Sequence, residues 1–289
     1  MEKKSRTLGR IREIAMHGVF LAAACASIAA VALICVFLFA NSVPAFAKIG
    51  PLNFLLGAQW KPGNNLFGIL PMIVGSLYVT AGALLLGVPV GILTALFLAG
   101  FCPKGLYRLL KPGVNLMAGI PSVVYGFFGM VVLAPLVRST LGGNGNSILT
   151  ASVLLAIMIL PTIIGQAESA LRAVPASCYE GSLALGASHE RSLFFAVLPA
   201  AKPGVTAGVI LGVGRAIGET MAVIMVAGNQ ARMPSSPLKG VRTLTTNIVM
   251  DMGYAAGLHR EALFATGAVL FVFILIINLL LTLVKRRDR

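Results

Sequence analysis

Long uncharged runs alternate with short basic ones along this chain, a pattern that suits helices dissolved in lipid. Six apolar runs, at 19–39, 68–102, 115–137, 146–164, 204–228 and 262–284, come close to or exceed the roughly 20 residues that a helix needs to cross about 30 Å of hydrocarbon. The second run is too long for one straight crossing, because its length at about 1.5 Å per residue makes roughly 52 Å of helix. Pro71 and Pro89 are expected to kink it, since each lacks a backbone donor and clashes with the preceding turn. A five-span reading with a re-entrant piece stays open. The expected fold is an all-α polytopic membrane protein with about six spans.

Composition agrees: 57% of residues are hydrophobic and 11% charged, against about 25% charged in an ordinary soluble domain. The placement of charge predicts topology, because short cytoplasmic segments hold the excess of Lys and Arg. With six spans one side collects Lys3, Lys4, Arg6, Arg10, Arg12, Lys104, Arg108, Lys111, Arg172, Arg191, Lys202, Lys285, Arg286, Arg287 and Arg289. The other holds Lys48, Lys61, Arg138, Arg232, Lys239, Arg242 and Arg260. That is fifteen against seven, with Arg215 inside the membrane to complete the 23. Both termini are therefore expected in the cytoplasm. The net charge of +14 does not indicate a nucleic-acid binder, because the basic residues are dispersed at span ends without interleaved aromatics. Anionic lipid headgroups explain them more simply.

Three segments are expected: a leading part at 1–67 with the first helix and an external loop, a membrane core at 68–284, and a basic tail at 285–289. Ala45-Phe46-Ala47 resembles a signal-cleavage site, but the apolar run before it is long and Pro44 interrupts it, so an uncleaved first helix is expected. Cys25, Cys35, Cys102 and Cys178 show no close pairing and predict neither a disulfide nor a metal site. Gly87 with Gly91, Gly208 with Gly212, and Gly214 with Gly218 have the spacing that lets membrane helices approach closely, within this chain or against a second subunit.

Arg215 and Glu219 are the only charged residues near the centre of the otherwise uncharged 204–228 run. A charge at mid-bilayer costs at least about 2.5 to 3.5 kcal/mol, so it is rarely kept without a task. At i and i+4 the two are expected to share one helix face, near the depth where alternating-access transporters place their sites. Either they form a packing ion pair or they line a pathway. Gln166 and Glu168 stand where they could line its inner mouth, although Glu168 with Arg172 at i+4 is equally a helix-surface pair. The connection at 165–203 reads as a built knob: Pro175 breaks the chain, Ser177 with Glu180 spells a capping box, Gly186 ends one short helix, Ser188 starts another, and Pro199 ends that.

Glu180-Gly-Ser-x-x-x-Gly186 followed by Leu198-Pro199 resembles the "EAA loop" of ABC-importer permeases, with Gly181 and Ser182 in place of the two alanines and Ala196 at the isoleucine position. Pro121-Ser-Val-Val-Tyr-Gly126, Leu171-Arg-Ala-Val-Pro175 and Gly214-Arg-Ala-Ile-Gly-Glu-Thr-Met221 are similar to permeases of the phosphate-specific (Pst) importer. Trp60-Lys-Pro and Phe67-Gly-Ile-Leu-Pro71 are most like its PstC-type subunit.

The resemblance implies a type I ABC importer permease fold with a cytoplasmic coupling loop at 175–203, in the inner membrane of a bacterium. It implies a second, PstA-type permease, two PstB-type ATPase subunits and an external PstS-type phosphate-binding protein as partners. Glu180, Gly186, Leu198 and Pro199 would then couple to the ATPases, and Arg215 and Glu219, with Gln166 and Glu168, would form the phosphate pathway. Glu219 is expected to pair with Arg215 when the pathway is empty and to accept a hydrogen bond from a protonated phosphate oxygen. No cofactor is expected in this chain, because no G-x-x-x-x-G-K-[ST] loop occurs in it, and ATP and Mg belong to the partner ATPases. Alternatives are a permease for another oxyanion or a membrane subunit that senses phosphate. The dispersed His17, His189 and His259 argue against an intramembrane enzyme.

Overall fold

A computed structural model describes residues 2–287 of this chain. The basic side chains at 3–12 and 285–289, which weigh on the expected topology, lie outside those described.

The first long helix, α1 (Glu2–Ile49), continues through Pro44 without a break. It is followed by α2 (Pro51–Leu56) and a small antiparallel hairpin of β1 (Trp60–Lys61) and β2 (Leu66–Phe67), in which Trp60 faces Phe67. Next comes α3 (Leu70–Leu96), which runs on through a wide π turn to Phe101. Pro71 lies in the first turn of α3, where the missing donor costs nothing, so it starts the helix and does not kink it.

The third span is displaced from its expected place. α4 (Lys104–Gly119) ends at Ile120, whose ψ of 126° is the extended value imposed by the following Pro121. α5 (Ser122–Phe128) then leads through a second π turn into α6 (Ala134–Leu141), and the apolar crossing is Ser122–Leu141 in place of 115–137. α4 carries no buried residue.

α7 (Ile148–Arg172), capped by the Ser147 hydroxyl on the Thr150 amide, is the buried central helix. The knob follows as α8 (Ala176–Ala184), α9 (His189–Ser192), a third π turn at Leu193–Val197 and α10 (Leu198–Ala200). The chain then bends by 71° into α11 (Lys202–Gly218). Last come α12 (Met221–Val226), α13 (Leu244–Met252) and α14 (Gly257–Arg287). Among the described residues, five helices or helical runs are long and apolar enough to cross a membrane, and the bent pair His189–Ala200 with Lys202–Gly218 makes a sixth if taken as one span.

Apolar side chains gain nothing by leaving lipid for protein, so close packing must hold the helices together. α7 provides it. Added Cβ atoms at Gly87 and Gly91 of α3 would press on Ile159 and Ile163 of α7, and those at Gly208 and Gly212 of α11 on Gln166 and Ile163. Both glycine pairs therefore pack within this chain. The third pair does not, because nothing lies within 4 Å of such an atom at Gly214 or Gly218.

α14 lies along α1, with Phe264 edge-on to Phe37, Phe271 edge-on to Phe39, and Glu261 bonded to Lys48 at 2.9 Å. The end of α1 thus meets the start of α14, which brings the start of α1 and the end of α14 to one end of the molecule. At the other end Ala45, Phe54, Trp60 and Phe67 share a buried cluster with Leu244 and Leu263, tying the leading segment to the core.

Candidate functional site

The helix that carries Arg215 stops at Gly218. Glu219 is extended (ψ 128°) and Thr220 is non-helical before α12 resumes at Met221. This interruption removes the expected i, i+4 relation of Arg215 and Glu219, and among the described residues no ion pair joins them. The Glu219 carboxylate instead turns forward and accepts the Ala222 amide at 3.1 Å, covering one of the free donors that begin α12. Its backbone carbonyl accepts the Thr245 hydroxyl at 3.2 Å, which ties the break to the start of α13.

Arg215 is half-buried, and its Nη1 reaches the Thr162 hydroxyl of α7 at 3.5 Å, a contact at the limit of hydrogen bonding. Leu211, Gly214, Arg215 and Gly218 follow helical spacing on α11. Leu211 is 51% exposed and the two glycines meet nothing, so this face is uncovered by the chain's own helices. Thr162 and the exposed Gln166 lie one turn apart on α7 and face the same groove, since Gln166 abuts Gly208. The structure therefore joins Arg215 to Thr162 and sets Gln166 one turn farther along. Thr162 was not singled out in the sequence, because a lone threonine in an apolar helix carries no signal until the neighbouring helix is placed.

Glu168 belongs to a different group. It is 2% exposed. Tyr107 Oη and Arg172 Nε donate to its Oε1 at 2.8 and 2.9 Å, and Lys111 Nζ donates to its Oε2 at 2.7 Å. Arg172 also donates to the Leu98 carbonyl at 2.9 Å and lies over the Tyr107 ring at 4.8 Å. This carboxylate binds α4 to α7 and to the end of α3. Both of its oxygens are taken, and it does not open on the groove beside Arg215.

The knob is built, though not with the expected cap. α8 starts at Pro175 without any side-chain cap, so the Ser177 and Glu180 box does not form, because Ser177 lies inside the helix and not ahead of it. The C-terminus of α8 is as expected: Gly186 takes φ +84°, the Gly186 amide donates to the Leu183 carbonyl (2.9 Å) and the Ala187 amide to the Ser182 carbonyl (3.2 Å). Ser188 caps α9 through the Arg191 amide at 3.3 Å. The 71° bend comes at Ala201, after Pro199 and not at it. Glu180 and Pro199 are exposed and Leu198 is half-buried. Leu185, 91% exposed, and Phe195, 78% exposed, stand out as apolar side chains with nothing over them.

The opposite end carries a third polar cluster. Asp251 accepts Trp60 Nε1 at 2.9 Å and Tyr254 Oη at 2.7 Å, with His259 Nε2 at 3.3 Å and Arg242 Nη1 at 3.5 Å. Burial alone would raise the Asp251 carboxyl, but the Trp60 and Tyr254 hydrogen bonds, the Arg242 charge and the His259 bond outweigh it and hold the carboxyl below the usual carboxylate range. The carboxylate fastens α13 to the hairpin and to α14. A cavity of about 450 Å³ opens beside these residues.

A family model described as "Binding-protein-dependent transport system inner membrane component" matches residues 87–289. The chain is 38% identical over 291 residues to the probable ABC transporter permease protein YqgH of Bacillus subtilis (strain 168), covering 96% of this chain and 93% of that protein. It is 36% identical over 261 residues to the phosphate transport system permease protein PstC of Mesorhizobium japonicum, covering 83% and 80%. Solved structures share the fold: the MetNI methionine ABC transporter in an inward-facing conformation aligns with a TM-score of 0.59 at 20% identity, over 80% of this chain and 100% of that one. A bacterial ABC transporter involved in the import of alginate gives 0.57 at 18%, over 87% and 95%.

Proposed function

The chain belongs to the family of binding-protein-dependent transport system inner membrane components, and on that premise we propose that it is the permease subunit through which an ATP-driven importer passes inorganic phosphate. The observation that carries this reading is the uncovered face of α11, where Arg215 stands between two glycines at which an added Cβ would meet nothing, one turn before the helix breaks. Interrupted helices near mid-membrane are where secondary transporters place their sites, and a second permease packed against this face would enclose a path between the two subunits. The similarity to phosphate transport system permease proteins PstC supports phosphate as the cargo.

Arg215 suits a tetrahedral oxyanion, because its fixed fork of donors stays charged and can bond two oxygens at once. Thr162 and Gln166 supply neutral donors along the same groove. Glu219 accepts a hydrogen bond from a protonated phosphate oxygen, and its hold on α12 gives the break its shape. Glu168 acts at a distance, by fixing α4 and the end of α3.

The end that carries the start of α1, the end of α14 and the knob faces the cytosol, in keeping with the basic excess on that side. There the capped knob, with Glu180, Gly186, Leu198 and Pro199, docks on an ATPase of the PstB type, which binds the ATP and Mg. The Schellman turn at Gly186 keeps the knob stiff enough to pass on motion. A PstA-type permease would complete the path, and a PstS-type binding protein would deliver phosphate at the hairpin end.

The test is labelled-phosphate uptake by phosphate-starved cells carrying the partner subunits and either this chain or its Arg215→Gln variant at matched membrane levels. Loss of uptake from an assembled complex is expected. Normal uptake by the variant removes Arg215 from the path, and no phosphate uptake by the unaltered chain removes phosphate as the cargo.

A further inference from the structure

The last carbonyls of a helix have no partner within it and carry its negative end. At the end of α3 two of them are taken by side chains from the knob and its stem. Arg172 Nη2 of α7 donates to the Leu98 carbonyl at 2.9 Å, and His189 Nε2 of α9 lies 3.2 Å from the Gly100 carbonyl. Each donor is set in place by a second group, Arg172 by Glu168 and His189 by the Tyr179 hydroxyl, 2.7 Å from its Nδ1. With Tyr179 donating to Nδ1, the imidazole keeps its proton on Nε2 for Gly100. Phe101 closes the ring edge-on at 4.9 Å.

The backbone here is built for close approach. A Cβ at Gly100 would collide with Leu193, so the π turn that ends α3 (97–101) rests directly on the π turn that follows α9 (193–197). Such wide turns recur at functional sites, where a helix must yield locally. A cavity of about 260 Å³, lined by Gly100, Pro175, Tyr179, His189 and Leu193 among others, lies behind the contact and leaves room for movement.

We propose that His189 is a positioning residue: with Tyr179 it clasps the Gly100 carbonyl, so that motion of α8 is delivered to the end of α3 as well as, through the bend at Ala201, to α11. The inference rests on the coupling role given above to the knob. α3 and α11 both pack on Ile159 and Ile163 of α7, so the clasp and the bend at Ala201 drive two helices that share one seam.

The experiment reconstitutes the full importer in liposomes and measures phosphate imported per ATP hydrolysed. For His189→Ala this ratio is expected to fall about fivefold, the scale of one lost hydrogen bond. His189→Gln, which keeps a donor near the Nε2 position, restores at least half of it. Tyr179→Phe leaves the imidazole packed but unoriented and gives a smaller fall, and it replaces His189→Ala as the deciding variant if the latter fails to assemble. An unchanged ratio in the deciding variant overturns the proposal, as does a parallel loss of import and hydrolysis with no rescue by glutamine. Leu185→Asp serves as the control for the underlying reading. If it uncouples the importer while the His189 and Tyr179 variants do not, the clasp alone is wrong. If it changes neither assembly nor ratio, the coupling role of the knob falls, and the clasp with it.

Discussion

Two glutamates in this membrane domain have opposite circumstances. Glu168 is buried, and three side chains, two of them cationic, saturate its carboxylate. Glu219 is half-buried at a helix break and holds one backbone amide. A buried charge whose partners are all within the protein is committed to structure, because freeing it would expose the full desolvation cost of the ions. Glu219 keeps acceptor capacity in hand, and the nearby turn of α11 carries Arg215, whose hydroxyl contact with Thr162 is long at 3.5 Å; under the proposed function both can respond to a passing ion. The same contrast separates two regions of the helix bundle: the Glu168 region is a fastening, and the Arg215 region lies on a face of α11 that the chain's own helices leave uncovered.

The largest effect should come from breaking the fastening. Glu168→Ala leaves Lys111 and Arg172 facing each other across a hole, and a loss of about 3 kcal/mol is expected, the lower part of the range for a broken buried pair since Arg172 is partly exposed. Thermal unfolding of the detergent-solubilised protein measures it. A variant of normal stability with altered substrate choice would reverse the comparison of the two glutamates.

Arg215→Gln should do the opposite, keeping stability while uptake drops about thirtyfold, as expected for about 2 kcal/mol of charge-assisted bonding to an anion. Glu219→Gln should cost uptake less, about fivefold, and should weaken discrimination against sulfate, which has no proton to give at neutral pH. Sulfate competition with labelled phosphate reads this directly, and unchanged competition would leave Glu219 as a cap of α12 alone.

The smallest effect tests a third carboxylate that resembles Glu168 in being saturated. Asp251 has a lowered pKa when folded, so the unfolded chain binds its proton first as the medium is acidified. Its contribution is fully present above the unfolded value of about 4 and is lost as pH falls below that through the lower folded value. Melting curves of the unaltered protein and Asp251→Asn should therefore converge as pH is lowered from 6 to about 3. Curves that keep their separation would show that Asp251 fastens α13 by shape and not by charge.

Much of the architecture was legible because lipid permits few solutions: apolar runs of crossing length must be helices, and the glycine spacings at 87/91 and 208/212 mark real contacts. The knob was legible at Gly186 and Ser188, whose backbone roles are local. Local signals misled where two of them competed. Ser177 has a capping side chain, but Pro175 had already begun the helix. The apolar run at 115–137 ignores Pro121, which moves the span to Ser122–Leu141. Arg215 and Glu219 have ideal helical spacing, yet Gly218 is a poor helix former and the Glu219 carbonyl finds Thr245 of a distant helix.

Sequence by itself determined the class of the molecule, its crossing segments, the mid-membrane charges and the resemblance that leads to phosphate import. Those properties follow from composition and from relations within a few residues, where hydrocarbon leaves the backbone no alternative to helix. Only the tertiary structure decided which charges are committed and which are open. It put Glu168 between Tyr107 and Lys111, Thr162 beside Arg215, and His189 on the Gly100 carbonyl in the turn that ends α3, because partners separated by tens of residues meet only once the helices are packed.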